Sequence, residues 1–392
     1  MDIVFEHFFL NHIFVIFAAA LAAGLLIIVF KQTFIFGYML AGIIFGPTGL
    51  AVIDDPSELE SLSKVGIIFL LFILGLNLKP KRVISMFEEA ALVSVASSIL
   101  FFLIVYLSLL NSSFHMADKV LISLAMIFSS TIIAIKLLPT TTLHHKRRGE
   151  MIISVLLFQD ILAIIIIMII KSSDAAGFSF LTIMNVLFFL PIFLVASLFC
   201  VTLFLEPLIK KFGELTELLF LIAVGWCSLL ALVSEGFGAS FEIGAFFAGI
   251  SLANSIGADF FAEKLKPIRD FFLIIFFFCL GARADFSLTR EMIFYMAFLT
   301  GFCVFAKSQI FRFLFKSQNE TDRQSREVGV RLGHGSEFAI LLMLFSFEMG
   351  LSSKSALDLV QIVVVASFLI GSYVISKSYP TPDSTSSRMR QD

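Results

Sequence analysis

Residues 155–170 read VLLFQDILAIIIIMII, which sets Gln159 and Asp160 inside a run of aliphatic and aromatic residues suited to the middle of a bilayer. Inserting an ionised carboxylate at that depth costs about 3 kcal/mol or more, so an intramembrane Asp is seldom kept without a use. One chemistry needs little else. A single carboxylate that holds either a proton or a cation, but not both, is sufficient to exchange one for the other. Thr131, Ser130 and the neighbouring Ser129, with backbone carbonyls freed from an interrupted helix, could complete a set of hard oxygen ligands for an alkali cation. Lys307, in CVFAKSQIF, is the second deeply placed charge. It could pair with Asp160 when the cation is absent, offset the dipoles of broken helices, or snorkel to the interface, as Arg312 nearer the end of the same span can. His334, Ser336 and Glu337, in RLGHGSEFAILL, could relay protons or stabilise the core by capping a helix fragment. Glu242 lies near the end of its span and reads as interfacial.

These residues need a solvent, and the composition supplies it. Of 392 residues 59% are hydrophobic and only 15% charged, with a mean hydropathy of +1.00, which no ordinary soluble domain matches. The net charge of −2 points to neither nucleic acid nor an acidic partner. Cys200, Cys227, Cys279 and Cys303 lie far apart in apolar segments, without a C-x-x-C pair, and read as buried thiols. No nucleophile in a recognised triad context, metal cluster or phosphate loop appears, which argues against an enzyme and against a resident cofactor. The only metal ion expected is a transported monovalent one.

Apolar runs separated by short polar breaks predict thirteen transmembrane helices, over 7–30, 33–50, 62–78, 84–110, 118–138, 149–170, 179–208, 216–234, 238–256, 267–282, 291–315, 331–350 and 356–376. The first run is too long, and lacks the basic flank, for a cleaved signal peptide. An odd count sets the termini on opposite sides. Nineteen of the 28 Lys and Arg residues, Arg331 among them, fall on the side of the C-terminus, six fall opposite, and Lys136, Lys307 and Arg312 fall inside spans. The C-terminus is therefore expected in the cytoplasm and the N-terminus outside. Residues 1–378 form the membrane domain, and the Ser/Thr/Pro-rich residues 379–392 read as a disordered cytoplasmic tail, with no soluble regulatory domain.

Shifting the sequence against itself reveals a repeat. GYMLAGIIFG from Gly37 matches GAFFAGISLA from Gly244 at an offset of 207; Gly75 matches Gly281, and Ser130 matches Ser336, both at 206. The repeats cover about 33–171 and 238–377, and because one repeat spans an odd number of helices the two enter the membrane from opposite sides. IFSSTIIAI (127–135) and RLGHGSEFAILL (331–342) then occupy equivalent places, and their runs of small and hydroxyl residues predict that both helices break there. The half-helix ends would cross near the midplane. Shifted by 206, Asp160 lands on Ala366, so the second half has no matching carboxylate.

Taken in order over residues 30–377, GYMLAGIIFGPTGL, FSSTIIAI, VLLFQDILAI, IGAFFAGISLANS, the Lys307 helix and GHGSEFAILL resemble the monovalent cation:proton antiporter-2 family, and within it the Kef-type, glutathione-gated potassium efflux branch. The resemblance implies an all-α fold of thirteen helices with two crossed broken helices, like that of sodium/proton antiporters. It implies a mobile core (about 84–171 and 291–377), a dimer-forming scaffold (about 7–78 and 216–282), a linker helix (about 179–208) and elevator-type alternating access. It makes Asp160 the carboxylate for cation and proton, Lys307 its core partner, and Gln159 the residue that favours K+ over Na+ and electroneutral exchange. A homodimer in a bacterial inner membrane, exchanging a monovalent cation for a proton, follows from it; a gated potassium channel or leak through the same residues is the alternative. This sequence departs from the family's pattern at His334, where Gln is usual, at Asn77, where Glu is usual, and at Arg283, where an apolar residue is common. The branch's nucleotide-binding regulatory domain is absent from this chain, so glutathione gating is not carried over.

Overall fold

The computed structural model describes residues 2–29, 34–47, 49–53, 60–77, 80–137, 147–171, 180–237, 241–282 and 289–379. In chain order the helices are α1 (Asp2–Val29), α2 (Phe34–Phe45), α3 (Glu60–Asn77), α4 (Pro80–Leu109), α5 (Met116–Ala125), α6 (Thr131–Lys136), α7 (Arg147–Lys171), α8 (Phe180–Cys200), α9 (Glu206–Phe212), α10 (Thr216–Gly236), α11 (Phe241–Leu252), α12 (Ala258–Ala282), α13 (Arg290–Gly301), α14 (Lys307–Ser317), α15 (Asp322–Leu332), α16 (Glu337–Glu348) and α17 (Lys354–Ser378). Wider π-helical turns, Val201–Leu205 and Phe302–Ala306, join α8 to α9 and α13 to α14. Counting α5–α6, α8–α9, α13–α14 and α15–α16 as single passes gives thirteen, and no strand occurs among the described residues. Six described segments are individually long and apolar enough to cross a bilayer.

Two expected boundaries move furthest. α12 begins at Ala258 and α15 at Asp322, well before the apolar runs begin. Both early turns are amphipathic: Ala258, Phe261 and Leu265 are buried while Glu263, Lys264 and Lys266 are exposed, and Ser325, Val328 and Leu332 are buried while Arg323 and Arg326 are exposed. Hydropathy reads such turns as loop because only one face is apolar. Arg331, counted with the cytoplasmic residues, is thereby a fully buried member of α15. The second half starts its helices at hydroxyl caps: Thr289, Thr321 and Ser353 each accept from a backbone N–H three residues on, filling one of the orphan donors of a helix start.

The chain forms two compact units. The first comprises Met1–Leu26, Gly37–Val83 and Lys171–Ala284; Ile16, Ala19, Ala41, Ile53, Ile275 and Phe278 form an apolar cluster within it. Here the repeat appears as backbone contact. A side chain on Gly42 would fall on the Phe278 carbonyl, and one on Gly249 would fall on the Phe72 carbonyl. A side chain on Gly75 would meet the Phe246 carbonyl, and one on Gly281 the Met39 carbonyl. Each contact becomes its partner when shifted by 206 or 207, so α2 against α12 and α3 against α11 are the same crossing built twice. Close small-residue crossings of this kind let helix backbones touch where lipid offers no hydrophobic drive.

The second unit comprises Ile27–Phe36, Ile84–Ile170 and Asp285–Asp392. In it α5 packs on α16, α6 on α15, and α17 on α13 and α16, while Phe101 of α4 meets Phe302 and Phe311 edge-on.

Gly249→Val forces α3 and α11 apart and is expected to destabilise by about 1–3 kcal/mol, whereas Gly225→Ala, with open space around it, should be neutral or stabilise by up to about 1 kcal/mol. Trp226, the sole tryptophan, is buried and donates to Ser251 Oγ at 3.0 Å, so its fluorescence during heating reports both variants. Equal melting of the two would remove the crossing from the account.

Candidate ion site

Two helices of the second unit are interrupted. α5 ends at Ala125, Met126 N still donates to Ile122 O at 3.0 Å, and helix resumes only at Thr131. Ser130 caps α6, its Oγ accepting from Ile133 N at 3.3 Å. α15 ends at Leu332, and α16 starts after Ser336, whose Oγ accepts from Phe338 N at 3.1 Å. Ser130 and Ser336 are the pair matched at 206 in the sequence, and each caps the second half of its broken helix.

An interruption strands backbone groups where water cannot reach them, and side chains take them up. Gln159 of α7 uses both ends of its amide: Oε1 accepts from Ser129 N at 3.1 Å and Nε2 donates to Ile127 O at 3.2 Å. In the second break Gly335 N, the match of Ser129, donates to Ser367 Oγ of α17 at 2.9 Å. Lys307, fully buried, donates through Nζ to Phe128 O at 2.7 Å and to His334 O at 3.1 Å. Those two carbonyls are also matched at 206. Its ammonium additionally lies 5.1 Å from the centre of the Phe101 ring.

Asp160 follows Gln159 on α7 and is 1% exposed. Thr131, the first residue of α6, donates to its carboxylate at 3.2 and 3.1 Å from the two oxygens. Glu337, the first residue of α16, lies within electrostatic reach of Asp160. His334 joins the two breaks from the other side, its Nδ1 lying 3.2 Å from Ser130 N and 3.1 Å from Gly335 O.

The structure thus gathers Ser129, Ser130, Thr131, Gln159, Asp160, Lys307 and His334 around the two interruptions, with Ser336 and Glu337 at the start of α16. It does not place Lys307 on Asp160: of the alternatives open in the sequence, the ammonium takes the carbonyl ends of both breaks. The Gln159 amide and the Ser130 hydroxyl are spent on backbone groups, and Asp160 and Thr131 face one another with oxygen.

Sequence reading missed several buried polar groups. Arg331 donates to Glu327 Oε1 at 3.2 and 3.1 Å and to Leu137 O, after α6, at 2.7 Å, while Glu327 Oε2 takes Arg148 from the start of α7. The i,i+4 spacing of Glu327 and Arg331 was the available signal. Asp118 accepts from Ser353 N at 2.8 Å and Ser353 Oγ at 2.9 Å, tying α5 to the start of α17. The side chains of Asn77 and Glu242, and residues 283 and 380–392, lie outside the described residues. Among the described residues no three His, Cys, Asp or Glu side chains come together.

A helical membrane bundle whose interrupted helices meet beside a buried carboxylate has the architecture of secondary transporters. The chain belongs to the family described as sodium/hydrogen exchanger, transmembrane, whose profile matches residues 14–377. It is 24% identical over 341 residues to K(+) efflux antiporter 6 of Arabidopsis thaliana, covering 85% of this chain and 57% of that protein. It is 29% identical over 320 residues to the glutathione-regulated potassium-efflux system protein KefC of Enterobacter sp., covering 79% and 50%. It is 23% identical over 371 residues to the iron transporter MagA of Paramagnetospirillum magneticum, covering 93% and 84%. The chain thus spans about half to three-fifths of the length of the first two. The sodium proton antiporter MjNhaP1 from Methanocaldococcus jannaschii shares the fold at a TM-score of 0.68 with 13% identity, over 96% of this chain and 99% of that one.

Gln159→Leu strands the Ser129 N–H and the Ile127 carbonyl, at about 1–3 kcal/mol each. We expect a lower melting midpoint and faster hydrogen exchange over residues 127–131, whereas Asp160→Asn, which keeps an acceptor for Thr131, should melt close to wild type. Wild-type exchange in Gln159→Leu would show that the amide does not hold the break.

Proposed function

We propose that the protein is a monovalent cation/proton antiporter, with K+ favoured over Na+ as cargo, and that Asp160 carries either the cation or the proton. The observation that carries this reading is the division of labour around the breaks. Lys307, Gln159, Ser130 and Ser336 are engaged with backbone, so Asp160 is left against Thr131 as a buried carboxylate with a hydroxyl beside it. Such oxygens suit an alkali cation. With one carboxylate exchanging one proton for one monovalent cation, each cycle is electroneutral. The names of the plant and KefC relatives support K+ as the cargo.

In this reading the second unit, which contains every residue of the ion site, is the mobile core. The first unit, stitched by glycine–backbone crossings, is the scaffold and the dimerisation element of an elevator-type exchanger. The excess of basic residues on one side supports a cytoplasmic C-terminus; the membrane proposed for it is a bacterial inner membrane.

Proteoliposomes with an internal pH dye test it. Wild type should acidify or alkalinise its lumen on an imposed K+ gradient, without a requirement for membrane potential, and Asp160→Asn should not. Because protons and cations compete for one group, the cation concentration for half-maximal exchange should rise about tenfold per pH unit on the acid side. Exchange at wild-type rates in Asp160→Asn would overturn the assignment of Asp160, and cation current without proton counterflow would mark a conductive pathway instead.

A further inference from the structure

The repeat accounts for the carbonyls on Lys307, for the amides of Ser129 and Gly335, and for the serine caps, but not for the His334 side chain. The position matched to His334 is Phe128, which has no polar side-chain atom. His334 is fully buried, and its Nδ1 lies between a donor, Ser130 N at 3.2 Å, and an acceptor, Gly335 O at 3.1 Å. One nitrogen cannot serve both. As a lone pair it accepts from Ser130 and ties the first break to the second. Bearing a proton it donates to Gly335 within its own break, and the Ser130 N–H is left facing another N–H.

We propose that His334 is a positioning residue, a staple between the two broken helices that closes while Nδ1 is unprotonated and opens when the imidazole takes its second proton. The added proton goes to Nδ1, the Ser130 amide loses its acceptor, and Thr131, next in the chain, loses the anchor that aims it at Asp160. Several charged or titratable groups bear on the ring. Lys307 of α14 sits on the carbonyl of His334 itself, and the backbone of Arg331, one turn before it on α15, lies within hydrogen-bond reach of the ring. Glu337 of α16 lies within electrostatic reach of Asp160 of α7. Cys303, one turn before Lys307, is turned to Met126 Sδ at 3.8 Å. From α17 the ring meets Phe368 edge-on, and Ser367 is occupied by Gly335 N. The staple deepens the exchanger reading by adding acid-side shut-off of the same site. It differs from proton competition at Asp160 in one respect: competition is relieved by saturating cation, whereas an open staple lowers the maximal rate.

His334→Asn provides the decisive variant, because its carboxamide oxygen falls where Nδ1 was, accepts from Ser130, and does not titrate. The first measurement needs no transport: hydrogen exchange of the Ser130 amide in nanodiscs, corrected for the intrinsic pH dependence. Protection should fall about tenfold in wild type as pH is lowered and stay level in His334→Asn, while His334→Leu should lack it at every pH. The second is the maximal K+/H+ exchange rate at saturating K+, which should fall in acid for wild type and stay flat for His334→Asn. Level protection in wild type, or the same acid-side loss in His334→Asn, overturns the staple. Loss of wild-type exchange alone, with the protection change intact, counts against the exchanger reading and leaves the staple standing.

Discussion

Everything at the site depends on how a membrane protein satisfies backbone groups that it has itself exposed. A broken helix leaves carbonyls and amides without partners, and hydrocarbon offers none. Lys307 answers this for both breaks at once, since one ammonium reaches the Phe128 and His334 carbonyls. The carbonyl ends of half-helices carry partial negative charge, so a buried cation that would be ruinous alone is compensated where it stands. The ammonium and the breaks are each unfavourable in isolation and admissible only together.

The same accounting explains Gln159. An amide presents a donor and an acceptor at the spacing of a peptide group, so it can replace the missing helical partners of an irregular segment. Asp or Asn at that position would be one methylene shorter and would have to approach the break more closely to do the same. The neutrality of Gln159 also means that the adjacent Asp160 does not share its site with a second carboxylate on the same helix. Local backbone repair and the charge of the site are therefore set by one residue.

Much of this was legible in the sequence, and the exceptions have physical causes. Asp160 stood out because its surroundings are apolar over several turns, and the breaks stood out because FSST and GHGS recur at a fixed offset. Span number followed from hydropathy, but the starts of α12 and α15 did not, because a one-sided apolar face averages to the hydropathy of a loop. Arg331 was assigned to water for the same reason, although it is buried against Glu327 and the Leu137 carbonyl. The choice among partners for Lys307 was out of reach: nothing in the chain marks which carbonyls become free until both breaks are placed in space. Backbone acceptors have no sequence signature, and much of this site is backbone.

The repeat finally separates what builds the site from what works in it. Where the halves agree, at Ser130 with Ser336, Ser129 with Gly335, Phe128 with His334 as carbonyls accepting from Lys307, and Gly42 with Gly249, the contacts are structural and occur twice. Where they disagree there is a single copy of a titratable group: Asp160 against Ala366, and the imidazole of His334 against the ring of Phe128. A two-fold frame would place two identical charges face to face across a small buried volume, and like charges there repel strongly. Confining each titratable group to one half removes that repulsion while keeping the crossed half-helices that both halves contribute. Asymmetry in the side chains is thus what allows a symmetric backbone to hold a single exchangeable ion.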